Sequence, residues 1–195
     1  MARVERLRPH QLNAEQAALY REITEGPRAR GPKYFDLVGD QGELLGPFNA
    51  FLLSPGVGRA LSDLGAAVRF DATLTKPCIE IVILTVAAHW ESNFEWSSHE
   101  AVAQAVGISD DVLSSIWSRE IPRCDDDVEQ ATAALSLSMV AGDVGDHVWE
   151  EARAHLELGQ IFEISTIVGY YSTLALQLKV MRADSINSTS ERTTI

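Results

Sequence analysis

The stretch IEIVILTVAAHWESNFEWSSH, residues 79–99, combines the longest apolar run of the chain with three chemically reactive side chains. The apolar part carries a single carboxylate, Glu80, and the stretch closes with Glu95 and His99, four residues apart. On a helix this spacing places both side chains on one face. If Glu80 points to the same place from the preceding helix, two acids and one imidazole meet between apolar walls, and such a site suits proton transfer.

Composition narrows the class of protein. The chain has 195 residues, 46% of them hydrophobic and 23% charged, which is typical of one soluble domain with a substantial core. A formal net charge of −12 disfavours nucleic acids and anionic membrane surfaces as partners. Two cysteines, Cys78 and Cys124, are too few for a disulfide framework and favour a reducing cytoplasm. No apolar run approaches the roughly 20 residues that span a bilayer.

Helical periodicity and capping residues predict an all-α multi-helix bundle without hairpins. Residues 79–86 are rich in β-branched side chains and are also compatible with a strand, but the length of the apolar run and the lack of a pairing partner favour a buried helix. The predicted helices cover residues 13–24, 47–54, 55–70, 76–90, 93–106, 110–117, 125–142, 146–155 and 157–181. The helix over 55–70 is predicted to present Val57, Leu61, Leu64 and Val68 on one apolar face.

We predict a single domain over residues 1–182, made of an N-terminal arm (1–40) and a core (about 41–182), with a disordered tail over 183–195. The connector after the first helix carries Arg28, Arg30 and Lys33. A solvated loop is the favoured interpretation, and a lid over an anionic substrate is the alternative. The mostly apolar helix 157–181 is expected to be central or to pack against another subunit.

Other kinds of site find less support in the sequence. Glu80 can instead face solvent, and an i,i+4 pair of Glu and His is common on exposed helices. Glu80, Glu95 and His99, with His89, offer nitrogen and oxygen ligands to a divalent ion, but the HExxH pattern is absent, and we predict no metal. Neither a phosphate-binding loop with its lysine nor a GxSxG elbow occurs.

Four segments in order resemble the carboxymuconolactone decarboxylase family, which shares its helical fold with the alkylhydroperoxidase-D-like proteins. They are GPFNAFLLSP (46–55), the Glu80 run, NFEWSSHEAVAQAVGIS (93–109) and VGYYSTLALQL (168–178). The peroxidase-type branch carries a CxxC pair ahead of the histidine, whereas these positions read Ser-Asn-Phe-Glu (92–95) here. A missing thiol cannot attack a peroxide. The motif is therefore similar to the decarboxylase branch.

This resemblance implies a cofactor-independent decarboxylase or lyase for a small carboxylic acid or lactone similar to 4-carboxymuconolactone. In this hypothesis His99 is the general acid, Glu95 orients its imidazole, and Glu80 relays the proton or holds the substrate. The expected substrate-binding residues are His89, Asn93, Trp96, Tyr170 and Tyr171. The resemblance also implies a homo-oligomer, either a trimer or a hexamer.

Two carboxylates would repel an anionic substrate unless one is neutral or a cation is near. Arg59, Arg69 or a neighbouring subunit are the candidates for that cation, besides the arginines and lysine of the connector. Two alternatives to the decarboxylase stay open: a peroxidase relative, which the absence of CxxC disfavours, and a helical oligomer that binds a small ligand without catalysis.

Overall fold

The computed structural model describes residues 2–26 and 36–183, which form nine α-helices and a short 3-10 helix at Pro9–Gln11. The all-α class predicted from the sequence is confirmed. The connector cations Arg28, Arg30 and Lys33 and the predicted tail after Ala183 lie outside the described residues. The helices are α1 (Ala14–Glu25), α2 (Phe48–Phe51), α3 (Pro55–Phe70), α4 (Lys76–Trp90), α5 (Asn93–Ala105), α6 (Asp110–Trp117), α7 (Asp127–Ala141), α8 (Asp146–His155) and α9 (Leu158–Met181).

Several helices begin where their capping residues predict. The side chains of Asn13, Thr75 and Ser109 each accept a hydrogen bond from a backbone N–H in the first turn of the helix that follows. These N–H groups have no partner within the helix, so a capping oxygen removes a desolvation cost. Local sequence therefore sets where these helices start.

Helix α4 is the centre of the bundle. It packs against α5, α6, α7 and α9, and every residue from Cys78 to Ala88 is buried. One side of α4, with Val82 and Val86, belongs to a large apolar cluster, and the other side, with Leu84, belongs to a second cluster. A helix covered on all sides must be apolar all round, which explains why the run can be mistaken for a strand.

Helix α3 corrects the predicted apolar face. Val68 is buried at 7% exposure, but Val57 is 60% exposed and Leu64 is 38% exposed. Gly58 lies inward instead, and a Cβ on it would come within 2.3 Å of the Phe51 carbonyl oxygen. The close approach of α3 to the end of α2 therefore depends on the missing side chain, and the apolar spacing did not reveal it.

The segment before α2 contains a turn that the sequence did not predict. Val38 and Leu44 form an isolated antiparallel bridge, which closes this turn without forming strands. The turn leads to Gly46, whose φ of +59° is in the left-handed region that favours glycine. A Cβ there would lie 2.1 Å from Cζ of Phe94, so the Phe94 ring packs directly on this backbone.

The N-terminal arm holds α2 and the end of α9. The Asn49 side chain accepts a hydrogen bond from the backbone N–H of Leu7 and donates one to the carbonyl of Glu5. The backbone N–H of Arg3 donates to the carbonyl of Met181. Both helices carry residues of the cavity described below, so the arm stabilises its walls.

Helix α9 packs on α3, α4 and α7 with one side, as expected of a central helix. Its other side exposes Leu158, Phe162, Leu176 and Val180. The predicted oligomer stays a prediction. Within the part of the chain that the structure describes, no helix has both the length and the apolar character needed to cross a membrane.

Candidate active site

A buried pair of Glu80 and His99 lies where α4 packs against α5. His99 Nδ1 is 2.7 Å from Glu80 Oε2, and each side chain is only 6% exposed. An ionised carboxylate only accepts hydrogen bonds, so Nδ1 donates its hydrogen to Glu80 in that state. The pair satisfies two polar groups that would each be costly to bury alone.

This contact reassigns the two glutamates. The sequence hypothesis had Glu95 orient the imidazole, but the contact with Nδ1 comes from Glu80. With Nδ1 occupied, the second ring nitrogen, Nε2, is the one available to a reactant. Among the described residues, Nε2 forms no hydrogen bond. The imidazole thus has one nitrogen held and one nitrogen open.

Two tyrosines fix the plane of the imidazole. The Tyr171 ring lies edge-on to His99, with ring centroids 5.4 Å apart and an interplanar angle of 88°. Tyr170 packs edge-on against Tyr171 at 5.2 Å. Such edge-to-face contacts favour a single ring orientation. Both tyrosines come from the middle of α9, which places three helices around the histidine.

A small cavity opens beside His99. Its volume is about 20 Å³, which is enough for one water molecule and too small for an organic substrate without side-chain movement. Phe94 and Arg69, both half-buried, are among its walls. The lining residues are Pro47, Phe48, Arg69, Phe94, Glu95, Ser98, His99, Tyr170, Tyr171 and Leu174.

The cavity wall contains charge of both signs. Glu95 is 2% exposed, and burial of an acid in an apolar site is costly in its charged form. Arg69, in the last turn of α3, brings a guanidinium to the same wall. Arg59, the other candidate from this helix, instead pairs with Glu22 on the surface at 2.7 Å.

Five predicted site residues meet here. Glu95, His99, Tyr170 and Tyr171 line the cavity, and Glu80 lies behind His99. Four of these come from two helices that are far apart in the sequence: Glu95 and His99 from α5, and Tyr170 and Tyr171 from α9. Only the packing of both helices on α4 brings them together.

The structure does not bring His89, Asn93 or Trp96 to the cavity. His89 and Asn93 are exposed, and Trp96 packs into the second apolar cluster, with its ring centroid 4.7 Å from that of Trp117. At about 100° per residue, the nine residues from Glu80 to His89 lead to the opposite side of α4. Helical geometry thus explains these positions, and we leave the three residues out of the site proposed below.

Sequence reasoning also missed part of the lining. Phe94 and Ser98 share a helix face with Glu95 and His99, so the spacing of α5 held the signal that could have found them. Pro47, Phe48 and Leu174 carried no such signal, because their proximity to the histidine depends on how α2 and α9 pack.

Other features of the described residues offer weaker sites. A larger depression of about 430 Å³ lies along α1, but it is shallow and open to solvent. No group of three or more His, Cys, Asp or Glu side chains is placed to share a metal ion within residues 2–26 and 36–183. Neither cysteine lines the cavity: burial raises the pKa of Cys78, and that of Cys124 reaches about 11.

Solved structures with the same arrangement of helices place the chain in a known fold. An alkylhydroperoxidase AhpD core structure, of an uncharacterized peroxidase-related protein from Ralstonia eutropha JMP134, has a TM-score of 0.70 and 14% identity and covers 93% of this chain and 90% of its own. Protein ATU0492 of Agrobacterium tumefaciens, of unknown function and a candidate antioxidant defence protein AhpD, has a TM-score of 0.59 and 19% identity over 71% of this chain and 96% of its own.

A third similar structure is the debrominase Bmp8 in complex with 2,3,4-tribromopyrrole, with a TM-score of 0.68 and 11% identity over 92% of this chain and 89% of its own. No model of a protein family matches the sequence, and no curated protein matches it at a significant level. At these identities the likeness establishes the fold alone. The chain therefore has an alkylhydroperoxidase-D-like fold, and its reaction must be argued from the site.

Proposed function

We propose that this protein is a cofactor-independent lyase of the decarboxylase type, acting on a small carboxylic acid or lactone similar to 4-carboxymuconolactone. The observation that carries the proposal is the buried contact of 2.7 Å between His99 Nδ1 and Glu80 Oε2 beside a cavity. A buried carboxylate that holds one imidazole nitrogen fixes the tautomer and makes the other nitrogen a directed proton donor or acceptor.

The proposed reaction has one heavy-atom bond to break. The bond between the substrate carbon and its carboxylate breaks, carbon dioxide leaves, and the electron pair moves into a conjugated carbonyl as an enolate. Nε2 of protonated His99 then gives its proton to carbon, and water restores that proton. Glu80 stabilises the imidazolium before the transfer and orients the neutral ring after it.

Glu95 has a separate role in this proposal. Its carboxyl group lines the cavity at 2% exposure, and in its neutral form it would donate a hydrogen bond to the carbonyl that receives the electron pair. Phe94, Tyr170 and Tyr171 exclude water from the enolate. Phe94, a half-buried side chain of the wall, must also move, because the cavity has room for only about one water molecule.

The second candidate function is a thiol peroxidase, favoured by the AhpD structures among those with the same fold. The thiols weigh against it, because a thiol with a pKa near 11 is almost entirely protonated at neutral pH, and the thiolate is the nucleophile. At pH 8 we expect iodoacetamide to alkylate Cys124 about 100-fold more slowly than a free thiol with the reference pKa of 9, rising as pH approaches 11. Rapid alkylation at pH 8 together with peroxide turnover would support the thiol peroxidase function and contradict the lyase.

The experiment that tests the lyase uses 4-carboxymuconolactone and related unsaturated lactone acids as probes, because their conjugated carbonyl can accept the electron pair. Release of carbon dioxide is measured, together with deuterium uptake at carbon in heavy water, which reports proton transfer. His99→Gln should lose at least 100-fold in kcat, because general acid catalysis is typically worth about 10²–10⁴.

His89→Gln is the matched control, because it removes an exposed histidine from α4 and should keep full activity. Full turnover by the His99→Gln protein would exclude the proposed role of the imidazole. If the wild-type protein binds the probes but neither releases carbon dioxide nor exchanges deuterium, the third possibility applies, a helical protein that binds a small ligand without catalysis.

A further inference from the structure

Arg69 differs from Arg59 and Arg119, two arginines whose ion pairs the structure shows. Arg59 pairs with Glu22 and Arg119 pairs with Glu91, both on the surface. Arg69 is half-buried on the cavity wall, and it forms no ion pair with any carboxylate among residues 2–26 and 36–183. A half-buried guanidinium that forms no ion pair has given up part of its hydration without that compensation.

Two features favour an arginine at position 69 whether or not a ligand binds. Arg69 lies in the last turn of α3, where the helix dipole favours positive charge, and its guanidinium lies 5.6 Å from the centroid of the Phe70 ring. Both would be equally available to a side chain directed into solvent. Neither explains why the side chain lines the cavity that holds His99 and Glu95.

The charges around the cavity indicate a role for the guanidinium in binding an anion. Glu80 and Glu95 contribute acids, and Arg69 is the cation among the described residues that line the cavity. An anion entering next to two acids needs an opposite charge. The planar guanidinium of an arginine donates two parallel hydrogen bonds to a carboxylate. A neutral ester or amide lacks the opposite charge and binds the guanidinium more weakly.

We propose that Arg69 is the specificity-determining residue of this cavity and that it selects ligands bearing a carboxylate. This inference rests on the proposed function for the reaction, but not for the binding. The carboxylate that Arg69 holds is retained through the reaction, because an ion pair that stabilises a carboxylate opposes the loss of its charge as carbon dioxide. The product therefore also carries an acid group and competes with the substrate.

The test measures binding and needs no turnover. The probes are 5-oxotetrahydrofuran-2-carboxylate and its carboxamide, which share one shape and differ in charge, and affinities are measured by calorimetry at low and high salt. The wild-type protein should bind the carboxylate at least 10-fold more tightly than the carboxamide, with a preference that weakens in high salt. Arg69→Gln should bind both equally, and Arg69→Lys should keep part of the preference.

Arg59→Gln is the matched control, because it removes an arginine of the same helix that is paired on the surface, and it should keep the full preference. Far-ultraviolet circular dichroism and thermal unfolding establish that each variant is folded. An undiminished preference in Arg69→Gln, or no preference in the wild-type protein, would overturn the inference.

The same experiment separates the two proposals. His99→Gln should keep a preference for the carboxylate, since the charge of a protonated imidazole is balanced by Glu80 and the unpaired positive charge is that of Arg69. A preference that depends on Arg69 in a protein without lyase activity would leave the specificity role standing and remove the proposed function. Lyase activity together with a carboxylate preference that does not depend on Arg69 would leave the proposed function standing and remove the specificity role of Arg69.

Discussion

Glu80 and Glu91 lie near the two ends of α4, and each pairs with a cationic or basic side chain at almost the same distance. Glu80 Oε2 is 2.7 Å from His99 Nδ1, and Glu91 Oε1 is 2.6 Å from an Arg119 guanidinium nitrogen. The environments differ: the first pair is 6% exposed on both sides, and the second is 67% exposed at Glu91 and 47% at Arg119.

The difference shows that contact distance alone says little about a polar pair. In water each partner of the exposed pair has a good alternative in solvent, so the contact adds little to stability. Inside the protein neither partner has that alternative, and removal of one leaves the other without compensation. The buried pair is also shielded from competing water and ions, and for this reason we assign chemistry to it and not to the exposed pair.

The largest expected effect is on activity. Glu80→Gln keeps the size of the side chain but removes the charge that stabilises the imidazolium, and we expect kcat on a lactone acid to fall about 100-fold. Glu91→Gln is the matched change at the other end of α4 and should leave kcat unchanged. Equal kcat values for the two variants would erase the distinction between the pairs.

Stability should separate the two pairs next. Glu80→Ala leaves the buried imidazole without its partner, and we expect the free energy of unfolding in urea to fall by about 3 kcal/mol. The combined change Glu80→Leu with His99→Phe, which replaces both partners with apolar groups, should recover much of this loss. A double variant no more stable than Glu80→Ala would mean that the pair itself, rather than an abandoned partner, supplies the stability.

The cavity end of the molecule can also be probed through its backbone. Gly46→Ala meets both a φ of +59° and the Phe94 ring, and should cost about 2 kcal/mol of unfolding free energy. Gly142→Ala, at a φ of +86° with no atom within 4 Å of the added carbon, carries only the backbone strain, of about 1 kcal/mol. If Gly46→Ala and Gly142→Ala lose the same free energy of unfolding in thermal and urea experiments, the Phe94 ring moves away from the added carbon at no measurable cost.

The smallest effect should come from the exposed pair, and it should depend on pH and salt. Arg119 holds the pKa of Glu91 below its reference value of 4.5, so the ionised form is the one favoured by folding. The stability from this pair is present above pH 4.5 and is lost as pH falls through the lowered pKa. The difference in melting temperature between wild type and Glu91→Gln should vanish at low pH, and also in 1 M salt. A difference that persists in acid would contradict this.

Local sequence accounts for most of the fold. Caps at Asn13, Thr75 and Ser109 and the apolar periodicity located the helices, because a helix start depends on a few neighbouring residues. The exposure of Val57 escaped prediction, because it depends on how closely α2 and α3 approach, and the Val38–Leu44 bridge escaped it as well.

The sequence by itself determined that Glu80 needs a polar partner if it is buried, because a carboxylate among apolar side chains cannot stay buried and charged alone. It also determined that Glu95 and His99 share a face of α5. Only the tertiary structure decided that Glu80, rather than Glu95, contacts the imidazole, that the tyrosines of α9 flank it, and that Arg69 reaches the same cavity. Those relations join residues far apart in the chain, and they are set by the packing angles of whole helices rather than by the spacing within one.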